Sequence, residues 1–498
     1  MAVMVPGFSR VSAPARPAFA GLPLLALPAF WLGGEVALAV LAVSVPLALL
    51  LTGLGRRTGD PVPVSDQVIS RLDATLQDGA AKEGTTGCFV IQFDDPGHLC
   101  DRHGRARQSE LLAACIARLR AALRPGDLLY PLEDGSMAVV LALTPRLDLE
   151  TMVRIAGRLH LVVQQPTSLS GGPVQVTASI GFCFARQLAR PTGRAVLDAA
   201  QVAGDEAARF RPGAIRGYSA DLAAARADRD ALRAAFAKAV EHGEVRAFFQ
   251  PQVSTDSGEV SGVEALVRWL HPDRGCLTPA AFLPAIDGTD LMELLGQTML
   301  TQGLATLAEL DRKGLRIPSV AVNFSALELR DPHLPDRLRW TLDRFQLAPA
   351  RLTVEVLESV VSGDGDEITA SNIARIAAMG CGVDLDDFGT GNASITAIRR
   401  FALNRLKIDR SFVRDVDLNR DQQALVTAIL SLAEQLGLET LAEGVETPGE
   451  HALLAQLGCG HVQGFGVARP MPVDELANWI AAHREKLAGA LRIGVRAR

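Results

Sequence analysis

A chain of 498 residues, 48% hydrophobic and 21% charged, is too long for one hydrophobic core and has an ordinary globular composition, so two or three folded units are expected. The formal net charge of -6 carries no polyanion-binding signature, which disfavours a nucleic-acid duplex as partner. The seven cysteines (Cys88, Cys100, Cys115, Cys183, Cys276, Cys381, Cys459) show no CxxC pair and no histidine at zinc spacing, so they read as buried thiols in a reducing compartment.

Residues 1–57 read as a membrane anchor of two spans, at about 18–32 and 36–54. Between Arg16 and Arg56 the only charge is Glu35, which lies in Gly33-Gly34-Glu35 between two apolar runs. The second run is long enough to cross a bilayer, whereas Pro23 and Pro28 make the first marginal. Arg10 and Arg16 before the pair, and Arg56 and Arg57 after it, place both ends on the cytoplasmic side. A hairpin satisfies this; a single span with an outside N-terminus is the alternative.

Residues 58–85 predict a linker helix, with Ser65 as N-cap, Val68, Ile69, Leu72 and Leu76 on one face, and Gly79 as its stop. From 86 to 218, strand-like runs (Cys88 to Phe93, Met137 to Leu143, Val174 to Phe184) alternate with helical ones, which predicts a small α/β domain. Residues 219–241 form an Ala- and charge-rich connecting helix that stops at Gly243. Between 242 and 482, eight short apolar runs each end in polar residues and lead into helical stretches. They are Arg246 to Gln250, Val260 to Arg268, Val320 to Asn323, Leu352 to Glu355, Gly382 to Asp387, Arg405 to Asp409, Glu439 to Glu443 and His461 to Gly464. This pattern predicts a (β/α)8 barrel with its site where the strands end, followed by a tail at 483–498.

The polar residues at those ends carry the chemistry. Glu264, Asn323, Glu355, Asp386 and Asp387 offer only oxygen ligands, a set that selects a hard cation, Mg2+ or Mn2+, over zinc. Two adjacent aspartates can serve two metals, an arrangement that stabilises attacking and leaving oxygens in phosphodiester cleavage. Lys407 adds a cation among these carboxylates; by itself it reads either as a structural ion-pair partner or as the group that orients an attacking water.

Gln250-Pro251, the run Glu264 to Trp269, Asn323-Phe324-Ser325, the run Glu355 to Ser359, the run Asp386 to Gly391, the run Lys407 to Phe412, the run Ala442 to Glu446 and Gln463-Gly464-Phe465 together resemble the ordered motifs of the EAL-domain cyclic di-GMP phosphodiesterases. The resemblance covers residues 230 to about 482. It implies a barrel whose first strand is antiparallel to its neighbours, and hydrolysis of cyclic di-GMP to linear pGpG with two Mg2+ or Mn2+ ions. By position it implies that Glu264, Asn323, Glu355 and Asp386 hold the first metal and that Asp386 and Asp387 reach the second. Lys407, Glu443 and Asp387 are then the catalytic residues, with Lys407 and Glu443 organising the attacking water. Gln250, Leu266, Arg268 and Gln463 would contact substrate, Arg268 through a phosphate, and Glu358 and Glu446 would support the site. The resemblance also implies a homodimer through the EAL domain and, with the anchor, a bacterial inner-membrane protein whose folded domains face the cytoplasm.

The sequence departs from that pattern at Asn392 and Ala393, where Tyr-Ser is usual in a loop tied to dimer contact and metal ordering, and at Leu357, where threonine is usual.

Residues 86–218 resemble a GGDEF domain through Phe93-Asp94, the run Val176 to Phe182 and Arg124-Pro125-Gly126-Asp127. The signature turn reads Glu133-Asp134-Gly135-Ser136-Met137 in place of Gly-Gly-Asp-Glu-Phe, and Gln92 replaces a metal-binding aspartate, so a degenerate domain without cyclase activity is expected. Arg124 and Asp127 match the family's inhibitory nucleotide site, although a plain Pro-Gly turn explains them as well. Two other functions stand beside the phosphodiesterase: a non-catalytic cyclic di-GMP receptor, and a membrane scaffold acting through the degenerate domain.

Overall fold

The computed structural model describes residues 63–94, 105–169, 172–362, 367–389 and 398–495. The two apolar runs at 18–32 and 36–54, and the loop that holds Asn392 and Ala393, lie outside the described residues. Among the described residues no helix is long and apolar enough to cross a membrane. The inner-membrane location is therefore corrected: it rested on residues 1–57 alone, and described helices such as Val64–Lys82 and Leu149–Gln164 bury one face in the core of the first unit.

The chain divides into two compact units, up to Ala223 and from Ala224 onward. The first unit holds a five-stranded sheet of order β2-β3-β1-β6-β7, made of Gly87–Phe93 (β1), Leu128–Pro131 (β2), Met137–Val140 (β3), Ala178–Phe184 (β6) and Ile215–Gly217 (β7). Thr167–Leu169 (β4) and Gly172–Val174 (β5) form a separate hairpin. Alternation along β1 decides the layering: Phe89, Ile91 and Phe93 face helices Arg105–Ala122 and Leu149–Gln164, while Cys88 and Val90 face helices Val64–Lys82 and Gly193–Ala208.

The first helix differs from its sequence reading. It starts at Val64 after Pro63 and runs past Gly79 to Lys82, where Glu83 adopts a left-handed conformation. Val68 and Leu72 are fully buried, so the segment packs into the core of this unit. Ser65 is no N-cap; its backbone N–H (3.1 Å) and hydroxyl (3.3 Å) both donate to Glu133 Oε1. The six described cysteines are all free thiols, and only Cys276 is exposed.

The second unit is a closed barrel of eight strands: Val245–Ser254 (β8), Val260–His271 (β9), Val320–Phe324 (β11), Leu352–Leu357 (β12), Gly382–Phe388 (β13), Arg405–Ile408 (β14), Glu439–Ala442 (β15) and His461–Val462 (β16). Gly275–Leu277 (β10) adds a short antiparallel edge to β9. β8 runs antiparallel to both β9 and β16, and every other neighbouring pair in the ring is parallel, as the resemblance implied.

Period-two alternation again sorts the side chains. Val354 and Val356 on β12, Val383 and Leu385 on β13, and Leu406 and Ile408 on β14 are buried in apolar clusters outside the ring. Their alternates, Glu355, Asp384, Asp386, Arg405 and Lys407, are buried on the other face, inside the barrel. An interior this polar is held by charge pairing rather than by apolar layers.

Candidate active site

Lys407 occupies the centre of the barrel interior and is 1% exposed. Its Nζ lies 2.7 Å from Glu443 Oε1, 2.8 Å from Glu355 Oε1, 2.8 Å from Asp386 Oδ1 and 3.8 Å from Glu264 Oε2. One buried cation thus answers four carboxylates. The contacts are close but not aligned as hydrogen bonds, so Glu355 Oε1 and Oε2, Asp386 Oδ1 and Lys407 Nζ are all buried without a hydrogen-bond partner. Glu264 sits mid-strand in β9 rather than at a strand end, because β9 continues to His271 in its hairpins with β8 and β10.

Both oxygens of Glu264 are oriented. Asn323 Nδ2 donates to Oε1 at 3.0 Å, and Gln463 Nε2 donates to Oε2 at 2.6 Å. Asn323 is placed by the end of β11, where Ser325 caps the next helical turn and Glu328 returns a carboxylate to Ser325.

Adjacent aspartates on a regular strand would face opposite ways. Here the pairing of β13 with β14 slips between Leu385 and Phe388, and Asp387 takes a left-handed φ of 54°. This irregularity lets Asp386 and Asp387 share one site, and a carboxylate oxygen from each lies within 4.8 Å of one another and of one from Glu443. Such strain in a non-glycine residue persists only when its surroundings hold it. The turn that follows is held by Glu358, whose Oε2 accepts from the Gly389 N–H at 2.8 Å. Gly389 has a φ of 101°, and a Cβ there would sit 2.6 Å from the Phe412 ring.

The electrostatics follow from burial. Burial and the neighbouring Glu264 charge push the Glu355 carboxyl well above the ordinary range, against the pull of Lys407. Burial, with Asp386 and Glu264, pushes Glu443 up to about 8 despite Lys407. Burial and Asp386 also raise Asp387. Burial raises Glu264 too, but Lys407 and the hydrogen bonds from Gln463 and Asn323 outweigh it and leave this carboxyl low. Lys407 is held well above its ordinary value because the surrounding carboxylates overcome its desolvation.

Oxygen-only donors, three of them convergent, and buried carboxylate oxygens without hydrogen-bond partners fit a hard divalent cation. This has a testable consequence for stability. Glu443 keeps its proton in the folded chain up to about pH 8, whereas the unfolded chain releases it near the ordinary carboxyl value of 4.5. The folded state then binds more protons over that interval, so the metal-free protein should lose stability as pH rises through it. Mg2+ or Mn2+ binds the ionised carboxylates, so the rise in Tm on adding either ion should be larger near pH 8 than near about pH 5. A Tm shift independent of pH would exclude Glu443 and Glu355 as metal-linked groups.

The remaining predicted residues are placed as follows. Leu266 and Arg268 share the face of β9 that carries Glu264; both are half-buried, and the Arg268 guanidinium lies 6.0 Å from the Phe248 ring centre. Gln250 and Gln463 are buried and hydrogen-bonded to each other at 3.1 Å. Glu446 is exposed. The support at its turn comes from Glu450, a residue the motifs did not single out, which accepts from the N–H groups of Glu446, Thr447 and Asp415 at 2.8–3.0 Å. Gly464 packs against backbone: a Cβ would lie 2.1 Å from Val445 O and 2.3 Å from Val445 N. Gly464→Ala should destabilise the protein by about 1–3 kcal/mol, read by urea unfolding.

In the first unit, Asp127 accepts from Arg124 N at 3.1 Å, closing a turn, and from Ala142 N at 2.8 Å, tying that turn to the segment after β3. Asp94 accepts from Ser179 Oγ (2.7 Å) and Gly213 N (2.8 Å) and pairs with Arg211 at 3.3 Å. Gln92 donates to Asp205 at 2.7 Å. Asp134 accepts from the backbone and hydroxyl of Ser136.

Comparison with known proteins places this geometry in a family context. The family described as EAL domain matches residues 231–470, and the family described as diguanylate cyclase, GGDEF domain, matches residues 66–209. The chain contains both domains and is homologous to proteins that pair cyclic di-GMP synthesis with its hydrolysis. It is 30% identical over 416 residues to the bifunctional diguanylate cyclase/cyclic di-GMP phosphodiesterase MucR of Pseudomonas aeruginosa, covering 82% of this chain and 59% of MucR. It is also 30% identical over 414 residues to the cyclic di-GMP phosphodiesterase NbdA of the same organism, covering 81% of this chain and 51% of NbdA. The solved PaMucR phosphodiesterase in complex with c-di-GMP is 37% identical, covers 49% of this chain and 99% of that one, and has a TM-score of 0.47. The chain therefore spans 59% and 51% of the lengths of these two curated relatives.

Proposed function

We propose that the barrel hydrolyses cyclic di-GMP to linear pGpG and that the first unit makes none. The observation that carries the first half is the cluster around Lys407, which joins buried oxygen donors without hydrogen-bond partners to a carboxyl raised to about 8, in a chain homologous to cyclic di-GMP phosphodiesterases. Glu264, Asn323, Glu355, Asp386 and Asp387 would hold two Mg2+ or Mn2+ ions, which when bound polarise the phosphodiester and acidify water. Glu443, with its carboxyl near the operating pH, accepts the proton of the attacking water. Lys407 holds Glu443, Glu355 and Asp386 in place and offsets their charge. Arg268, on the same strand face as Glu264, receives a phosphate, and Leu266 packs against the nucleotide beside it.

Absence of cyclase activity is supported by the contacts in the first unit. Glu133 of the signature turn accepts from Ser65, and Asp94 is engaged by Ser179, Gly213 and Arg211.

The test is incubation of the full chain with cyclic di-GMP and Mg2+ or Mn2+, with product read by chromatography and binding measured in parallel. Conversion to pGpG, and no cyclic di-GMP made from GTP, is expected. Tight binding with Mg2+ or Mn2+ but no pGpG would replace the phosphodiesterase with a receptor.

A further inference from the structure

Below the carboxylate cluster, the barrel interior holds a second polar layer that the site motifs do not include. Arg405, at the start of β14, donates through Nε (2.8 Å) and Nη2 (2.5 Å) to Asp384 Oδ2 and through Nη2 to Gln252 Oε1 at 3.0 Å. Gln252 Nε2 donates to Gln463 Oε1 at 2.9 Å, and Gln463 Nε2 donates to Glu264 Oε2 at 2.6 Å and to Gln250 Oε1 at 3.1 Å. Gln250 Nε2 in turn donates to Ala468 O at 2.9 Å. Arg405, Gln252 and Gln463 are all buried, so the polarity of each bond matters fully.

The two ends of this chain dictate its direction. A guanidinium can only donate and an ionised carboxylate can only accept, whereas an amide can be turned either way. With Arg405 donating at one end, Gln252 must present Oε1 to it and Nε2 to Gln463. Gln463 must then accept through Oε1, which leaves its Nε2 aimed at Glu264. Were Gln463 reversed, its Oε1 would face Glu264 Oε2 across 2.6 Å, acceptor against acceptor, in a buried site.

We infer that Arg405 and Gln252 are positioning residues that act through Gln463 to orient the Glu264 carboxylate for its metal. The inference rests on the proposed metal-dependent reading of the barrel. It predicts an effect on metal affinity from residues that, among the described residues, make no hydrogen bond or ion pair with Lys407 or any of the five proposed ligands.

Two variants of the full chain test it by different routes. Gln252→Met keeps the side-chain length and removes both hydrogen bonds. Gln252→Glu keeps an acceptor for Arg405 but cannot donate, so it turns Gln463 toward itself and leaves Glu264 facing an oxygen. Mn2+ affinity, measured by calorimetry, should fall about tenfold or more in Gln252→Met, the usual scale for losing an outer support of a metal ligand, and further in Gln252→Glu. In a Gln463→Leu background Gln252→Met should cost little more, because the effect passes through Gln463. A variant that fails to fold shows in its metal-free melting curve, and the other variant then carries the comparison with its own curve near wild type. Wild-type Mn2+ affinity in a folded Gln252→Glu variant, or a Gln252→Met loss that adds in full to that of Gln463→Leu, overturns the inference while leaving the phosphodiesterase intact. Conversely, a wild-type chain that binds Mn2+ but makes no pGpG sinks the phosphodiesterase and leaves the relay standing. If the wild-type chain binds no Mn2+, both fail.

Discussion

Lys407→Met is expected to reduce hydrolysis of cyclic di-GMP below detection and to destabilise the metal-free protein by about 3–5 kcal/mol, the scale for removing one partner of a buried charge pair. The side chain is almost wholly buried and its Nζ lies within 2.8 Å of Glu355, Asp386 and Glu443. Without it, those carboxylates face one another in a medium that screens poorly, and they must take up protons or separate. From motif position alone, Lys407 would be expected to act on the water and to leave the metal site standing. The geometry makes it the hub of the cluster instead, so the stability of the metal-free fold should suffer together with chemistry. Added Mg2+ or Mn2+ should recover much of the stability, since a cation then answers the same oxygens, but none of the turnover. Urea unfolding with and without metal reads this directly, and a Lys407→Met protein as stable as wild type without metal would remove Lys407 from that role.

Glu443→Gln is expected to slow hydrolysis by about 10²–10⁴-fold, the range for losing a positioned proton acceptor, while cyclic di-GMP still binds. Glutamine preserves the volume and a hydrogen-bonding oxygen near Lys407, but it cannot exchange a proton. Glu443 also shares an oxygen cluster with Asp386 and Asp387, so one metal should bind more weakly in the variant. The two roles separate in the data: loss of a ligand is offset by raising the metal concentration, whereas loss of the proton acceptor is not. Full recovery of the rate at high Mn2+ would mean that Glu443 serves only to hold metal.

Much of this protein is legible along the chain. The eight barrel strands each announce themselves as a short apolar run closed by a polar residue, and the residues proposed as metal ligands, including Glu264, Asp386 and Asp387, were identifiable as oxygen donors at recurrent positions. Alternation explains why: on a strand buried on both faces, a polar side chain survives only where the barrel interior can pair it. The second polar layer carried the same signal, because Gln252, Asp384 and Arg405 each stand two residues from a site residue, Gln250, Asp386 and Lys407, on the same strand face. Single motif positions do not show this layer, because it emerges only when residues are grouped by strand face.

The end of the first helix also differs from what local propensity predicts. Gly79 is a reasonable stop when only local propensity acts, yet packing of Val68 and Leu72 against the sheet carries the helix on to Lys82.

What the amino-acid sequence by itself determined was the α/β architecture of the barrel and the set of oxygen donors along its strands, because each depends on residue type and short-range period. Only the tertiary structure decided that one lysine faces four carboxylates, that a strand irregularity at Asp387 brings two neighbouring aspartates to one site, and that Gln463 aims a donor at Glu264. These depend on which strands become neighbours around a closed ring. Residues 250, 264, 355, 386, 407, 443 and 463 meet within a few ångströms only because the barrel closes, and the resulting desolvation, rather than any single residue's identity, sets the charge state on which the proposed chemistry depends.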